Sequence, residues 1–170
     1  MRPEIGDMID CRNSPIKHFV LVLGTDLGHE RETVMYYLIS SRVYAVFPDI
    51  IEFFNDCIQR KYARFYNFFK EKDKDAIVPY GRLRDAFFLD KGTDYEGCLD
   101  VDSIIVINEN PIHIDLETLE QMHEDKSAIY KTRLISRDLI RFMDMIKLSE
   151  NIGQRAKSII CRNFNEYKKK

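Results

Sequence analysis

Two apolar segments near the N-terminus constrain most strongly what this chain can fold into. Residues 18–23 (HFVLVL) and 33–39 (TVMYYLI) are rich in β-branched and aromatic side chains, which is typical of β-strands. The polar stretch between them, residues 24–31 (GTDLGHER), is short enough to close a hairpin. The second strand ends on the polar triplet at 40–42 (SSR). The N-terminal third is therefore predicted to be a twisted antiparallel sheet that stops at this triplet.

The pattern becomes helical after the triplet. Pro48-Asp49 is typical of a helix start, and apolar residues then recur at spacings of three and four through residues 50–69. Strands followed by helices indicate an α+β fold rather than a parallel α/β sheet. The other predicted elements are strands at 86–89 and 102–107, helical turns at 116–123, and helices at 130–148 and 149–167, the last capped by Ser149.

Length, charge and cysteine content exclude several classes of protein. The chain has 170 residues, which fits one domain, and a net charge of -2 argues against a general polyanion binder. Residues 131–170 nevertheless carry eleven Lys or Arg against four Asp or Glu, a local net charge of +7. This basic third is compatible with a nucleic-acid surface, or with a solvated helical face and a basic tail.

The four cysteines form no C-x-x-C pair and have no neighbouring histidine at metal-ligand spacing. A structural zinc site and a disulfide framework are therefore not expected, and reduced thiols fit an intracellular protein. The first ten residues have no apolar signal core, and no apolar run approaches the roughly 20 residues that cross a bilayer. These features predict a cytoplasmic protein without a membrane segment.

A candidate catalytic site lies where the predicted hairpin ends. Ser40 and Ser41 offer hydroxyl groups, and the planar guanidinium of Arg42 matches a phosphate group. Lys17 and His18 begin the partner strand, so an antiparallel register places them opposite the two serines. A cation, an imidazole, two hydroxyls and an arginine suit metal-independent cleavage of RNA by its 2′-hydroxyl. The bland alternative is a polar turn with ordinary surface charge.

Several segments of the sequence resemble those of a known protein family. Gly6-Asp7-Met8, the run from Lys17 to Leu23, and Leu38 to Arg42 resemble the opening of the MazF/PemK/Kid toxin superfamily. Residues 100–107 (DVDSIIVI) and 132–146 (TRLISRDLIRFMDMI) resemble its last strand and closing helix. The long closing helices make the ToxN-like endoribonuclease branch the closer match in layout. The chain departs from the family pattern at His18-Phe19, at Ser40 and Val43, and in a larger insertion at about residues 48–75.

The resemblance implies one domain with an SH3-like antiparallel β-barrel, formed by residues 1–46 and 77–115. Residues 47–75 would be a helical insertion, and residues 116–170 would form C-terminal helices. It further implies an endoribonuclease toxin that cleaves single-stranded RNA, forms a homodimer and is held by a protein or RNA antitoxin. No cofactor or metal is implied.

Residue roles follow from the same resemblance. Ser40 and Ser41 would contact the scissile phosphate, Arg42 and Lys17 would stabilise the transition state, and His18 would act as general acid or base. Outside this catalytic set, four residues are expected to bind RNA, one of them within a Gly-His-Glu sequence found in some PemK-like toxins: His29, Arg31, Arg133 and Arg137.

Two other readings stay open from the residues alone. Asp100 and Asp102 alternate before a strand and can hold Mg²⁺, as in nucleotidyltransferases, with Asp115 as a third acid and Gly92-Thr93 as the upstream turn. A non-catalytic binding module on the same barrel is the second alternative. The aromatic segment 47–69 is compatible with RNA binding or with a helix packed on the sheet.

Overall fold

The computed structural model describes residues 2–28, 30–41, 85–89, 95, 97–101, 103–107 and 109–170. The predicted hairpin strands, the two later strands and the helix near residue 116 are all present, and the fold is α+β. In chain order the described elements are strands β1 (Asp7–Asp10), β2 (Phe19–Asp26), β3 (Thr33–Ser40), β4 (Asp85–Leu89), β5 (Ser103–Ile107) and β6 (Ile112–Asp115), helix α1 (Leu116–Glu124), strand β7 (Ile129–Arg133), and helices α2 (Ser136–Leu148) and α3 (Gln154–Tyr167).

The described strands form one antiparallel sheet in the order β4-β5-β3-β2-β1-β7. One edge of β3 is shared, because its N-terminal half pairs with β6 and its C-terminal end pairs with β5. Within the described strands no pairing joins β4 to β7, so the sheet is not closed. The antiparallel sheet is confirmed, whereas a barrel is not confirmed.

Both faces of the central strands are buried, because successive side chains of a strand point to opposite sides. Leu21 and Leu23 of β2 pack with α2 and α3, and Val20 and Val22 pack on the other face with α1. β3 alternates in the same way, with Met35, Tyr37 and Ile39 on the first face and Val34 and Tyr36 on the second. The sheet therefore lies between α1 on one side and the two longer helices on the other.

The prediction of a helix from Tyr130 to Leu148 is wrong in its first part. Residues 129–133 form β7, which pairs with β1, and the helix α2 begins only at Ser136. The apolar repeat of this helix starts near Leu134, and Tyr130 and Thr132 are residues that favour strands. The region 116–170 thus supplies an edge strand of the sheet as well as helices.

Ser149 is not the N-cap of the last helix, contrary to the prediction. It is fully buried at the C-terminal end of α2, where its backbone N–H donates to Met145 O at 2.9 Å. The N-cap of α3 is Gly153, which adopts an extended conformation, and its N–H donates to the Asn110 side chain at 2.7 Å. The buried hydroxyl therefore marks the end of one helix rather than the start of the next.

Helix α3 is fastened to β2 through Asn163. β1 pairs with β2 only from Phe19 to Leu21, and beyond it the Asn163 amide bonds both the N–H and the C=O of Thr25, at 3.1 and 3.0 Å. The neighbouring Gly24 has φ of +117°, and a Cβ there would lie 2.3 Å from Asn163 Cγ. Glycine is therefore required on both steric and conformational grounds.

The predicted insertion at 47–75 lies outside the described residues. In the part of the chain that the structure does describe, no helix is long and apolar enough to cross a membrane. Cys11, Cys98 and Cys161 are free thiols.

Candidate functional site

The turn between β1 and β2 positions Lys17 and His18. The Ser14 hydroxyl donates to Cys11 O at 2.7 Å and accepts from the Ile16 N–H at 3.1 Å, which folds the turn on itself. The turn is closed at its base by the Cys11 N–H, which donates to His18 O at 3.0 Å. Lys17 leaves the turn with φ of +62°, a left-handed conformation that non-glycine residues adopt rarely. The surrounding hydrogen bonds thus hold a strained residue at the mouth of the site.

The β2–β3 register brings this turn to the end of β3. Phe19 pairs with Ile39, so antiparallel geometry carries His18 and the preceding turn towards Ser40 and Ser41. Ser40 is fixed from its other side by pairing with Ile104 of β5. The strand end that presents the serines is therefore held by neighbours on both edges.

The third wall of the site is the segment 97–101. It follows Tyr95, a fully buried residue whose hydroxyl donates to Asp138 of α2 at 2.7 Å. The N–H groups of Cys98 and Leu99 donate back to Tyr95 O at 3.0 and 3.2 Å. This turn is thereby tied to the helix layer and places Asp100 near the serines.

These three segments enclose one cleft of about 600 Å³. It has an apolar base, formed by Phe19, Ile39 and Leu99, and a polar rim. Of the predicted catalytic residues, Lys17, His18, Ser40 and Ser41 line this cleft. Asp100, an acid of the nucleotidyltransferase alternative, lines it as well. The other lining residues were not selected from the sequence: Arg12, Phe19, Ile39, Leu99, Val101 and Ser103. The hairpin geometry predicted from the sequence therefore assembles the lysine, the histidine and both serines at one place.

The two serines do not present their side chains equivalently. Ile39 faces the α2 and α3 side of the sheet, so the next residue, Ser40, points to the opposite face. Ser41 is exposed and follows the last residue of β3, whereas Ser40 is partly buried. Ser41 is consequently the hydroxyl better placed to meet a ligand above the apolar base.

Arg12 is the most strongly fixed cation of the rim. Its Nε and Nη2 donate to the two oxygens of Asp10 at 3.0 and 2.9 Å, and its Nη1 donates to Asp100 at 2.6 Å. Its guanidinium carbon lies 4.4 Å from the centre of the Phe19 ring. The hydrogen bonds that Arg12 donates to Asp10 and Asp100 raise the pKa of Arg12 above its ordinary value, so the group stays charged.

The pKa of Asp10 is lowered by the same contact. Burial on its own raises the pKa of this carboxyl, but hydrogen bonds from the Arg12 side chain and backbone outweigh it. Lys131 adds a weaker attraction at 3.9 Å. Asp10 is therefore an ionised, nearly buried support for the arginine.

Lys17 and His18 are exposed at the rim, as Arg12 is. Among the described residues no carboxylate forms an ion pair with Lys17. Among the described lining residues, Lys17 is thus a cation that no described carboxylate pairs with, whereas Arg12 is bound to Asp10 and Asp100. An anion that enters the cleft meets this charge and the serine hydroxyl groups together.

The residues predicted to bind RNA lie elsewhere or outside the described parts. Arg31 is 3.6 Å from Asp115, Arg133 is bound by Asp7 at 2.6 Å and Glu4 at 2.9 Å, and the Arg137 guanidinium is 3.6 Å from Asp138. None of the three arginines lines the cleft. His29 and Arg42 are not among the described residues, so their proposed roles stay predictions.

Two of the three acids of the nucleotidyltransferase alternative, Asp100 and Asp115, lie in the described part of the chain, and they are far apart. Asp100 lies at the Ser40 end of β3, whereas Asp115 pairs with Thr33 at its opposite end. The seven steps along β3 from Thr33 to Ser40 separate these ends by roughly 23 Å at about 3.3 Å per residue. The prediction that Asp115 completes a metal site with Asp100 is therefore wrong. Asp102, Gly92 and Thr93 lie outside the described residues.

The remaining described histidines have structural partners. The Nδ1 atom of His113 is 3.1 Å from the Thr33 hydroxyl, and that of His123 is 3.1 Å from Ala128 O. Within the described ranges, no group of three or more His, Cys, Asp or Glu side chains could hold a metal ion.

Sequence reasoning missed Arg12, and it assigned Asp100 to a possible metal site rather than to its contact with Arg12 across the rim. One local signal was available, because Asp10-x-Arg12 immediately precedes the Asn13-Ser14-Pro15 turn and places a carboxylate and a guanidinium at one strand end. The partner Asp100 lies 88 residues away from Arg12, and nothing local indicates that contact.

Comparisons with protein-family models, with curated proteins and with solved structures find no match to this chain.

Proposed function

We propose that this chain is a metal-independent endoribonuclease of the toxin–antitoxin type, which cleaves single-stranded RNA by attack of a 2′-hydroxyl on the adjacent phosphate. The observation that carries the proposal is the single cleft lined by Lys17, His18, Ser40 and Ser41. The resemblance of the opening segments to the MazF/PemK/Kid superfamily supports the same reaction. The SH3-like barrel, the homodimer and the antitoxin belong to this proposal through the resemblance alone.

The proposed reaction needs three functions, and the cleft offers a group for each. A base removes the 2′-hydroxyl proton, the phosphorane that forms carries extra negative charge, and an acid protonates the departing 5′-oxygen. His18 serves as base or acid, and Lys17 stabilises the negative charge. Ser41 donates a hydrogen bond to a phosphate oxygen. The products are a 2′,3′-cyclic phosphate and a free 5′-hydroxyl.

The test is cleavage of a synthetic single-stranded RNA of mixed sequence in excess EDTA. The wild type is expected to cleave it, and the same sequence in 2′-deoxy form is expected to stay intact because the nucleophile is missing. His18→Ala is expected to lower the cleavage rate about 10²- to 10⁴-fold, the usual range for loss of an acid or base. Lys17→Ala and Ser41→Ala are expected to lower it as well, with Ser40→Ala losing less than Ser41→Ala.

A matched control is available for the lysine. Lys126 is the other described lysine at positive φ, +63°, and it does not line the cleft. Lys126→Ala is expected to cleave at the wild-type rate, and both variants should have the same far-ultraviolet circular dichroism. Retained activity in Lys17→Ala with Ser41→Ala would contradict the proposal. RNA binding without cleavage would favour a binding module, and activity abolished by EDTA would favour a Mg²⁺-dependent enzyme.

A further inference from the structure

The two edges of the Arg12 guanidinium are held in different ways. Nε and Nη2 form a paired contact with Asp10, whose side chain is 11% exposed, and the Asp10 Oδ1 also accepts the Arg12 backbone N–H at 3.1 Å. The Phe19 ring supports one face of the group. This edge is fixed before any ligand arrives, so little conformational freedom remains to be lost on binding.

The other edge faces the cleft. Its Nη1 donates to Asp100, whose side chain is 70% exposed. After the contact with Asp10, a guanidinium still has two Nη1 hydrogens and one Nη2 hydrogen, and these can meet two oxygens of one phosphate group. Exposed ion pairs are weak, so the Asp100 contact can be exchanged for a better anion.

We propose that Arg12 is the phosphate-binding residue of the cleft and that Asp100 occupies its outer edge as a built-in competitor of a nucleic-acid phosphodiester. The inference rests on the proposed function for the identity of the ligand, since it takes the phosphodiester to be that of the RNA substrate. Arg12, Lys17 and Ser41 then surround one phosphate. Asp100 competes with each incoming phosphate for the Nη1 edge of Arg12, which weakens binding to every sequence alike.

A double-mutant cycle measures this competition. Affinity for a fluorescent 2′-deoxy single-stranded oligonucleotide, which cannot be cleaved by 2′-hydroxyl attack, is measured for the wild type, Asp100→Asn, Arg12→Gln and the double variant. Asp100→Asn is expected to bind about two- to fivefold more tightly, the strength of an exposed ion pair. Arg12→Gln is expected to bind about tenfold more weakly or worse. In the Arg12→Gln background, Asp100→Asn is expected to change nothing.

The cycle separates a direct contact from general electrostatics. If Asp100→Asn tightens binding equally with and without Arg12, the carboxylate acts only through its charge and the inference is wrong. It is also wrong if Asp100→Asn binds like the wild type. Asp115→Asn is the matched control, because Asp115 is another carboxylate paired with an arginine, its side chain is 42% exposed, and it lies outside the cleft. Its affinity should equal that of the wild type.

Folding and function are controlled separately. If Arg12→Gln lacks a cooperative unfolding transition, Arg12→Lys replaces it in the cycle, because an ammonium keeps a charge beside Asp10 but lacks the paired fork. If the wild type cleaves no RNA while the cycle gives the expected coupling, the proposed function fails and the phosphodiester site stands. If cleavage is observed without coupling, only the role of Arg12 and Asp100 fails.

Discussion

Two arginines flank the ends of β1 and have closely similar surroundings. Each guanidinium donates to a largely buried carboxylate of that strand, Asp10 for Arg12 and Asp7 for Arg133. Each also lies near an aromatic ring, at 4.4 Å from Phe19 and 5.2 Å from Tyr167 respectively.

The two arginines differ in how exposed their second carboxylate partner is. Glu4, the second partner of Arg133, is 29% exposed and is also bound by Lys170. Asp100, the second partner of Arg12, is 70% exposed and lies on the rim of the cleft. The same combination of groups therefore closes the fold at one end of β1 and leaves a donor edge exchangeable at the other.

Removing Arg133 is expected to have the largest effect on stability. Arg133→Ala leaves Asp7 buried without its cation, which should cost about 3 kcal/mol in the free energy of unfolding. Urea unfolding at neutral pH measures this loss. Arg162→Ala, at an exposed position of α3, is the control and should change stability by less than about 0.5 kcal/mol. A small loss of stability for Arg133→Ala would contradict the view that Arg133 is a structural residue.

Removing the other arginine is expected to cost less stability. Arg12→Ala should lower the free energy of unfolding by about 1 kcal/mol, because Asp10 lies nearer the surface and keeps Lys131 at 3.9 Å. The same urea series gives the value. A loss as large as that of Arg133→Ala would mean that Arg12 is mainly a structural residue, and the comparison would then break.

Acid should weaken both ends of β1. The pKa of Glu4 is lowered below 4.5, mainly by the hydrogen bond from Lys170, and that of Asp10 lies below 3.8 because Arg12 outweighs burial. A carboxyl whose pKa is lower in the folded state stabilises the fold above its unfolded pKa and loses that contribution as the pH falls through the folded value. Stability attributable to these groups should therefore fall below pH 4.5. Asp10→Asn and Glu4→Gln should each make the decline shallower, and unchanged slopes would contradict the assignment.

The smallest expected effect concerns the thiol of Cys11, which lies next to Arg12 at the end of β1. Burial, followed by the charge of Asp10, raises the pKa of Cys11 to about 12, and the side chain is 0% exposed. The native protein should therefore leave Cys11 unmodified by iodoacetamide while the partly exposed Cys98 and Cys161 react. Peptide mass spectrometry distinguishes the three sites. Slow labelling of Cys11 in Arg12→Ala would show that the arginine also restrains local opening of the turn.

The hairpin and the cleft could be predicted from the sequence because both depend on local patterns. Alternating apolar residues define β2 and β3, and the antiparallel register then brings Lys17 and His18 towards Ser40 and Ser41. β7 was predicted as part of a helix because five residues next to a strong helical repeat give little periodic signal. Its partner β1 is more than a hundred residues earlier, so pairing rather than local preference decides its structure.

The electrostatic partners could not be predicted for a similar reason. The Arg12–Asp100 and Arg133–Asp7 contacts join residues 88 and 126 positions apart. In the sequence each of these residues is one charge among many, and burial of Asp7 becomes evident only once β1 is paired on both sides. Residue types alone therefore indicated the cleft but did not identify its fixed cation.

The bond between Asn163 and Thr25 has a consequence for how the chain is made. It joins residues 138 positions apart, so β2 emerges from a ribosome long before the amide that satisfies its backbone. At about 5–20 residues per second the delay is on the order of ten seconds. The edge of β2 at Thr25 can therefore receive this side-chain partner only after α3 has been made. The hydrogen bonding of β2 is therefore complete only after residue 163 has been synthesised.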